Sequence, residues 1–415
     1  MMLRRSSRFL LVVLFATVAL IALDLNADLF FAIERSSGQR RTDHGYGSDG
    51  DGNEMRQPLY RKKDVQLHAA TFFFGAPMSN NYLENCSVKG HCKLVENRSA
   101  ADAIIYHAPD FVSLGQLNAN QIAVLWSLES PTNHFFHHNY AHLQTELAIR
   151  IVNGRINWTM TYRRDSDIWF PYGVITKRHQ PVHVDYEAIW ASKKHMAICL
   201  MSNCRHNNGR IQLINAIQAA GITVDMFGAC GYRKTPNDCD GVKKQGDRCV
   251  AQLFRPYKFA ISFENSLCKD YVTEKFFEVL QNRFTVPIVM RRKTCEEIGA
   301  PPNSFIAVDD YKNVSDLVND LHRIAQSKAA YMEYHRWRET FEVNSDYFAI
   351  ENTGFCELCK KIMRQDFESK HYDDVASWQT VGVCDQPQDG FVNKFLGYAR
   401  NKFFTRIPQH LINIT

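Results

Sequence analysis

Residues 258–290, KFAISFENSLCKDYVTEKFFEVLQNRFTVPIVM, carry the clearest structural pattern of the chain. Residues 259–263 form a short apolar run that predicts a buried strand, and Glu264, Asn265 and Ser266 end it with turn-forming side chains. Thr273 has the position of a helix N-cap, because apolar residues follow it with helical spacing. A second apolar run predicts another buried strand at 286–290. The stretch therefore predicts strand, loop, helix and strand, the repeating unit of an α/β sheet.

Four polar residues of this stretch lie where a ligand would bind. Asn265, Tyr271, Glu274 and Lys275 come after the predicted strand and in the first turn of the predicted helix. Open α/β sheets bind ligands at that edge, and the free N–H groups of a helix start attract anions. The helix dipole disfavours a lysine in the first turn, and a bound phosphate would reverse that penalty. The local pattern alone nevertheless favours the plainer interpretation, ordinary capping beside a solvated lysine.

The same stretch resembles the signature of the α1,3-fucosyltransferase family. The matching residues are FENS at 263–266, DY at 270–271, TEK at 273–275 and VPIV at 286–289. In that family the segment holds the GDP-fucose donor. The resemblance therefore implies that Asn265, Tyr271, Glu274 and Lys275 bind the donor.

Length and composition set the wider limits. The 415 residues suffice for two domains with their own cores. A formal charge of +5, with no dense basic block, gives little support for nucleic acid binding. Twelve cysteines are too dilute for a small disulfide scaffold, yet many for a cytosolic enzyme.

The amino terminus predicts a type II membrane protein. An apolar run at 9–23 follows Arg4, Arg5 and Arg8, which places residues 1–8 in the cytoplasm and the remainder in the lumen. We interpret 9–33 as a signal-anchor segment and 34–64 as a flexible stem, and we expect a Golgi membrane location. The run is short for a span, so a signal peptide cleaved near 25–27 remains the alternative.

N-glycosylation sequons agree with a luminal chain. We predict glycans at four positions, Asn85, Asn97, Asn157 and Asn313.

Two runs of alternating strand and helix patterns predict an α/β fold with two doubly wound, Rossmann-like domains facing a cleft. The resemblance implies the same architecture, the GT-B fold. We assign 65–185 to an acceptor-side domain, 186–345 to a GDP-fucose-binding domain, and 346–415 to C-terminal helices and a cysteine-containing tail. The remaining expected elements are strands at 68–74, 101–108, 122–128, 157–162, 196–201, 222–227 and 305–308, helices at 134–149 and 210–220, two helices within 314–341, and a linker at 172–185.

Two further residues are candidates for the chemistry. Glu129, in the sequence SLESP, follows a predicted strand and has the position of a general base, although a solvated turn residue fits the local pattern better. Arg210 opens a predicted helix, where an arginine fork could bind a diphosphate, and a plain surface arginine fits equally. The family has an ESP-like element and an SNxxxxxxR element at these places. The resemblance therefore implies that Glu129 deprotonates the acceptor and that Arg210 contacts the donor phosphates.

The segment 156–173 also resembles the family and contains Arg163, Arg164, Asp165 and Asp167. These residues fit a surface ion-pair cluster better than a site. An Asp-x-Asp pair could bind a divalent metal. The resemblance argues against that, because the family does not use this motif as a metal-binding pair.

Cys356 and Cys359 form a CxxC pair, which fits a redox motif, half of a zinc site or structural disulfides. No second CxxC completes a zinc ribbon, and the pair follows a predicted helical region rather than opening a helix. The resemblance implies disulfides from Cys86 and Cys92 to this pair. The cysteine-rich segment 228–249 is closest in character to invertebrate and plant enzymes that fucosylate the N-glycan core.

The resemblance implies an enzyme that moves L-fucose from GDP-fucose, with inversion, to O3 of N-acetylglucosamine in glycoprotein glycans, with the N-glycan core as the first expectation. It implies no tightly bound cofactor and no dedicated metal site, and it leaves stimulation by Mn²⁺ or Mg²⁺ open. The alternatives are Lewis-type fucosylation of peripheral N-acetyllactosamine, an inactive glycan-binding homologue, and a thiol oxidoreductase using the CxxC pair.

Overall fold

The computed structural model describes Lys62, Cys239 and residues 64–132, 153–204, 208–234, 248–365, 370–385 and 391–397. The expected cytoplasmic tail, anchor, most of the stem and the helix at 134–149 lie outside these residues. Within the described ranges no helix is long and apolar enough to cross a membrane.

The first half of the chain forms a six-stranded sheet in which every pair of strands is parallel. Its central strands are buried on both faces, which explains their continuous apolar sequence. The strand order is β2-β1-β3-β4-β5-β6. The strands are β1 (Val65–Ala69), β2 (Cys92–Leu94), β3 (Ala103–His107), β4 (Ile122–Ser127), β5 (Trp158–Thr161) and β6 (Ile168–Trp169).

The second half forms a five-stranded parallel sheet with helices between its strands. The strand order is β12-β11-β10-β8-β9. The strand that precedes residues 263–275, which we call the expected donor motif, therefore lies at the centre. The strands are β8 (His195–Leu200), β9 (Val224–Phe227), β10 (Tyr257–Ile261), β11 (Val286–Val289) and β12 (Ile306–Ala307). The helices are α1 (Tyr186–Ser192), α2 (Arg210–Ala219), α3 (Arg248–Phe254), α4 (Glu274–Glu278), α5 (Arg292–Glu297), α6 (Val314–Gln326) and α7 (Lys328–Glu333).

Shorter elements complete the described chain. A two-stranded antiparallel sheet pairs β7 (Val174–Lys177) with β13 (Phe341–Asn344). The C-terminal helices are α8 (Gly354–Arg364), α9 (Val375–Thr380) and α10 (Phe391–Phe395). One-turn 3₁₀ helices occur at Asn80–Leu83, Lys89–His91, Arg98–Ala100, Ala108–Asp110, Val308–Asp310 and Arg336–Glu339.

The helix of the donor motif begins as its sequence predicts. Thr273 is the N-cap, and its side chain accepts a hydrogen bond from the backbone N–H of Lys275. After Glu278 the helix continues as a π-helix, Val279–Arg283, and ends at Phe284 in the left-handed region with φ 51°. The π-turn, which sequence spacing does not reveal, often marks a functional region.

Several expectations about element bounds were wrong. The strand expected at 68–74 is β1, Val65–Ala69, which leaves Phe72 and Phe74 on an exposed loop. The expected linker at 172–185 contains β7, which pairs with β13 across the chain. Edge strands β2 and β6 are two or three residues long, so their sequences carry too little periodicity to be recognised.

The two sheets share one buried apolar cluster. It contains Trp126 and Phe170 from the first half and Phe276 and Phe277 from the second. Gly173 is required at this junction, because a Cβ there would lie 2.5 Å from the ring of Phe277. The packing brings the ends of β4 and β10 close together.

Candidate active site

The expected site residues gather at the carboxyl ends of parallel strands. Glu129 lies two residues beyond the last residue of β4. The loop 262–273, which we call the donor loop because the donor is expected to bind there, follows β10. Arg210 begins α2, the helix that follows β8. Carboxyl ends of neighbouring parallel strands share one edge of a sheet, which is where α/β proteins bind ligands.

Tyr271 connects the two halves. Its hydroxyl donates a long hydrogen bond of 3.3 Å to Oε2 of Glu129, 142 positions away in sequence. The Tyr271 side chain is buried, and its ring meets that of Tyr162 edge-on at 4.8 Å. Burial, followed by the nearby Glu129 carboxylate, raises the pKa of Tyr271 well above its usual value. Tyr271 therefore stays protonated and acts as a hydrogen-bond donor to Glu129.

Hydroxyl groups make a second link beside the first. The Ser266 hydroxyl lies 2.7 Å from that of Ser130 and 2.5 Å from that of Thr132. Ser130 directly follows Glu129, and Ser266 directly follows Asn265. The loop that carries Glu129 and the donor loop are thus held together by side-chain contacts at the carboxylate and at the residues that follow it.

Lys275 lies between two carboxylates. Its ammonium nitrogen is 2.9 Å from Oε1 of Glu274, 2.9 Å from the Thr273 hydroxyl and 3.3 Å from Oε2 of Glu264. The carboxylate of Glu264 also accepts hydrogen bonds from the backbone N–H and the hydroxyl of Thr273. An ammonium has three donors, so a phosphate that binds Lys275 would replace or share one of these three contacts.

The pKa values in this cluster follow from burial and charge. Burial alone would lower the pKa of Lys275, but Glu264 and Glu274 raise it above its ordinary value. Burial raises the pKa of Glu264 against the opposing effect of Lys275. For Glu274 burial is also the largest single influence and acts upward, but the charge and hydrogen bond of Lys275, together with hydrogen bonds from the backbone and from Thr273, outweigh it and lower the pKa. Lys275 therefore stays charged, and Glu264 is the carboxyl of the cluster that protonates more readily.

Arg210 is buried beside the donor loop, with 2% of its surface exposed. One terminal nitrogen donates to the carbonyl of Phe263 at 3.4 Å, and the other donates to the carbonyl of Asn203. Burial lowers the pKa of its guanidinium, an effect that Glu264 opposes. The structure thus brings Arg210 to the expected edge of the sheet. Its two terminal nitrogens are bound to backbone carbonyls, however, and a diphosphate would have to displace these carbonyls.

Asn265 presents an acceptor at the same edge. Its Oδ1 is buried, with no partner among the described residues. Buried polar atoms are normally hydrogen-bonded, so an unpaired carboxamide oxygen at a candidate site suggests a missing donor such as a ligand hydroxyl.

A cavity of about 30 Å³ lies behind the donor loop, a space for water molecules and far too small for a nucleotide. Its walls include the buried thiol of Cys295, whose pKa burial raises well above its usual value. The lining residues are Ser262, Glu264, Ser266, Leu267, Cys268, Tyr271, Val272, Phe276, Val289, Met290, Arg291, Thr294 and Cys295.

The Asp-x-Asp pair is not arranged around one shared ion. The Asp165 carboxylate accepts two hydrogen bonds, of 2.6 and 2.9 Å, from the guanidinium of Arg163. The ammonium nitrogen of Lys269, in the donor loop, lies 3.1 Å from Oδ2 of Asp165. Asp167 instead accepts hydrogen bonds from Thr159 and Tyr372. Within the described ranges no group of three or more His, Cys, Asp or Glu is arranged to hold a metal ion.

The CxxC pair is bound in two disulfides to Cys86 and Cys92, the two cysteines that the resemblance names, and the structure decides which joins which: Cys86–Cys356 and Cys92–Cys359. We expected the pair to follow a helical region rather than to open a helix. This expectation was wrong, because Cys356 and Cys359 are the third and sixth residues of helix α8. Their partners nevertheless argue against a redox CxxC, since each sulfur is joined to a cysteine more than 260 positions away. The other disulfides are Cys204–Cys230, Cys239–Cys249 and Cys268–Cys384.

The predicted glycosylation positions differ in access. Asn85, Asn97 and Asn313 are exposed. The carboxamide of Asn157 is instead bound on both sides: Oδ1 accepts from the backbone N–H of Ala123, and Nδ2 donates to the carbonyl of Lys370. Because Nδ2 is the atom that a glycan would modify, the structure argues against Asn157.

Sequence reasoning missed an aromatic surface near Glu129. The loop after β1 exposes 58% of Phe72 and 57% of Phe74, while Phe73 between them stacks on the buried Trp126 at 4.6 Å. Phe74 has φ 49°, and its backbone N–H donates to Asp110. A bulky residue held at positive φ with an exposed ring suggests function. The run of three phenylalanines was the available signal, but a buried strand accounted for it more simply.

Comparisons with known proteins identify the family of this chain. Residues 61–173 match the model of the N-terminal part of fucosyltransferases, and residues 190–378 match that of the C-terminal part of glycosyltransferase family 10. The chain is 39% identical over 339 residues to the alpha-(1,3)-fucosyltransferase fut-6 of Caenorhabditis elegans, covering 78% of this chain and 82% of that protein. It is 33% identical to the glycoprotein 3-alpha-L-fucosyltransferase A of Drosophila melanogaster, over 71% of this chain and 55% of that protein. A crystal structure of an alpha1,3-fucosyltransferase with GDP-fucose aligns at 15% identity and a TM-score of 0.43, over 78% of this chain and 95% of the other.

Proposed function

Because this chain belongs to the glycosyltransferase family 10 fucosyltransferases, we propose that it transfers L-fucose from GDP-fucose to O3 of an N-acetylglucosamine residue in glycoprotein glycans. The observation that carries the proposal is the contact between Tyr271 and Glu129. It joins the donor motif of the second sheet to the carboxylate expected to act on the acceptor. A GT-B architecture, with donor and acceptor on facing sides of one cleft, accommodates that contact.

In the proposed reaction the β-linked donor gives an α-linked product, so a single displacement inverts the anomeric carbon. Glu129 removes the proton of the acceptor hydroxyl while the bond to the diphosphate breaks. The hydroxyl of Tyr271 holds the Glu129 carboxylate in position. General-base assistance of this kind is worth roughly 10²–10⁴-fold in rate.

The departing diphosphate needs positive charge and hydrogen-bond donors. Lys275 supplies the nearest stable charge, because Glu264 and Glu274 hold its pKa high. A phosphate oxygen would take the place of the longest of its three contacts, the one of 3.3 Å to Glu264. Glu264 would keep the hydrogen bonds that it accepts from the backbone N–H and the hydroxyl of Thr273. Arg210 would contribute once its terminal nitrogens leave the carbonyls of Phe263 and Asn203.

The acceptor would approach from the side of the first sheet. Phe72 and Phe74 lie at the carboxyl end of β1 on the same sheet edge as Glu129, and exposed aromatic rings offer apolar faces to a sugar. A glycoprotein acceptor is supported by the relative named as a glycoprotein 3-alpha-L-fucosyltransferase, and within glycoproteins we propose the N-glycan core because of the cysteine-rich segment 228–249. Peripheral N-acetyllactosamine is the second candidate, supported by the 30% identity to a 4-galactosyl-N-acetylglucosaminide 3-alpha-L-fucosyltransferase of Pongo pygmaeus over 70% of this chain.

A catalytically inactive glycan-binding homologue would have lost part of this machinery. The chain instead retains Glu129, Glu274 and Lys275. Glu129 lies close enough to Lys275 for its charge to contribute to the raised pKa of the lysine. We further propose a single-pass type II protein of the Golgi membrane with a luminal catalytic part. The charge pattern around residues 9–23 and five disulfides are consistent with such a location.

The test is a transfer assay. Full-length protein in detergent would be incubated with radiolabelled GDP-fucose and two acceptors, an N-glycopeptide with a free core and N-acetyllactosamine, and product linkage determined by NMR. An α1,3 linkage on the proximal core N-acetylglucosamine is the expected result. Labelling of N-acetyllactosamine alone would favour the second candidate, and binding of glycans without any transfer would favour the inactive homologue.

A further inference from the structure

The C-terminal segment beyond α9 returns to the donor loop. The C-terminal family model matches residues up to 378, so this segment lies outside it. Its residue Cys384 forms a disulfide with Cys268, in the middle of the loop between β10 and α4. On either side, the N–H of Lys269 donates to the carbonyl of Val383, and the N–H of Asp385 donates to the carbonyl of Leu267, each at 2.8 Å.

The opposite side of the donor loop is held by the first sheet. The carboxylate of Asp270 accepts a hydrogen bond of 3.0 Å from the backbone N–H of Arg164, and Lys269 pairs with Asp165. Asp270 itself has φ 58°, a left-handed conformation that needs support from its surroundings. The next residue is Tyr271, whose hydroxyl reaches Glu129. The loop is therefore clamped directly before the residue that meets the carboxylate.

The same segment contacts two other parts of the donor side. Arg291, which lines the cavity behind the loop, bonds to Asp385 at 2.5 Å and lies 4.8 Å from the ring of Phe391. Val392 packs against Gly209, the N-cap of α2 next to Arg210. A Cβ at Gly209 would lie 2.8 Å from Val392, so the segment and the start of this helix fit closely.

We propose that residues 383–385, linked covalently through Cys384, are a positioning element that holds the donor loop in its binding conformation. This proposal rests on the proposed function, because it assigns the loop to the donor. The physical reason is entropy: an irregular loop ordered only by its ligand reduces the affinity for that ligand, and a loop ordered beforehand does not. In an oxidising compartment a disulfide supplies this order permanently.

The test removes both cysteines, with Cys268→Ser and Cys384→Ser in one full-length variant. The control is the double substitution Cys239→Ser and Cys249→Ser, which also removes one disulfide, but one that lies outside the donor loop. In the first variant the KM for GDP-fucose and the Kd for GDP should both rise roughly tenfold, while the acceptor KM and kcat stay within about threefold. The control should bind GDP as the unmodified protein does.

Hydrogen exchange separates this proposal from the proposed function. Loss of the disulfide should increase amide exchange in residues 264–275 and leave helix α8 unchanged. If the unmodified protein neither binds GDP nor transfers fucose, the proposed function fails, while faster exchange in the loop would still support the clamp. Unchanged exchange in the loop, or a GDP affinity within twofold of the unmodified protein, would overturn it.

A milder variant applies if the double variant does not fold. Asp385→Asn removes the ion pair with Arg291 and keeps the disulfide. A rise of about threefold in the donor KM at unchanged kcat is expected, the scale of a partly exposed ion pair. A lower kcat with an unchanged donor KM would contradict a positioning role.

Discussion

Two groups of buried charge lie at opposite ends of the second sheet and behave differently. At the carboxyl ends of the strands, Lys275 is paired with Glu264 and Glu274, and its pKa is raised. At the amino ends, Lys193 precedes β8 and donates to the carbonyl of Arg255. Burial, together with the charges of Arg338 and Arg255, lowers the pKa of Lys193 to about 7.

The second group contains further basic residues. Burial lowers the pKa of Arg338 to about 9 and that of His335 well below its usual value. The guanidinium of Arg338 is held by the carbonyl of Leu280, by His335 and by the rings of Trp337 and Phe284. A perturbed pKa alone would mark both groups as candidate sites. Only the first combines compensating charge with the ligand-binding edge of the sheet, so we assign function to that one.

The largest effect should come from the carboxylate that joins the first group to the acceptor side. Glu129→Gln keeps the shape of the side chain but cannot take up a proton, so kcat should fall by roughly 10²–10⁴-fold. The Kd for GDP, measured by calorimetry, should stay within about twofold because the residues proposed to contact the donor lie in the other half. Glu342→Gln, an exposed change, serves as control. Retained transfer would assign the base to another residue.

The second largest effect should follow from removing the central ammonium of the first group. Lys275→Ala should reduce kcat/KM by an amount equivalent to about 2–4 kcal/mol of transition-state stabilisation. It should also lower the midpoint of thermal unfolding, because Glu264 and Glu274 are left without their shared cation. Lys193→Ala tests the comparison directly: it should change stability but leave kcat/KM within about twofold. Equal losses of activity in both variants would remove the distinction between the groups.

A smaller effect, on stability and its pH dependence, is expected in the second group. The pKa of Lys193 is about 7 in the folded protein and about 10.5 when exposed, so the unfolded chain holds more protons between these values. The free energy of unfolding should therefore rise with pH from about 7 to 10. Below pH 7 Lys193 is charged in the folded protein, so the full destabilisation by the buried charge is present. Lys193→Met should stabilise the protein at pH 6 by about 1 kcal/mol, the gain being reduced by the lost bond to Arg255.

Urea unfolding at pH 6 and pH 9 measures this difference. The gain from Lys193→Met should be smaller at pH 9, where the native lysine is already neutral. A gain that is larger at pH 9 would contradict the lowered pKa.

The smallest effect should distinguish the two carboxyls of the first group. The pKa of Glu264 is raised, which means that its ionisation disfavours the folded state, so Glu264→Gln should lower the free energy of unfolding at pH 7 little or not at all. The pKa of Glu274 is lowered, so its stabilisation is present above the unfolded value of about 4.5 and is lost as pH falls through the folded value. Glu274→Gln should therefore destabilise the protein more than Glu264→Gln does at pH 7. Thermal unfolding of both variants between pH 4 and 8 measures the difference. If the pKa directions are wrong, Glu264→Gln will lower the unfolding midpoint more than Glu274→Gln does.

Sequence patterns were most informative where the structure depends on neighbouring residues. The N-cap at Thr273, the start of α2 at Arg210 and the strands before Glu129 and Glu264 lie at or near their predicted positions. Errors arose where one strand pairs with a distant partner, as β7 does with β13, or where a strand is only two or three residues long. In both cases the hydrogen-bonding partner, rather than the local period, decides the conformation.

The α/β class, the motif at 263–275 and the membership of the family follow from short segments of sequence, because caps, hydrophobic periods and motifs are local properties. Which side chains meet depends instead on the tertiary structure. Tyr271 reaches Glu129 across 142 positions, and Cys384 reaches Cys268 across 116. The partners of Lys275 and the bound carboxamide of Asn157 depend likewise on how loops fold back after their strands. Such contacts are set by the order in which strands lie side by side and by the packing of the two sheets, which no single segment encodes.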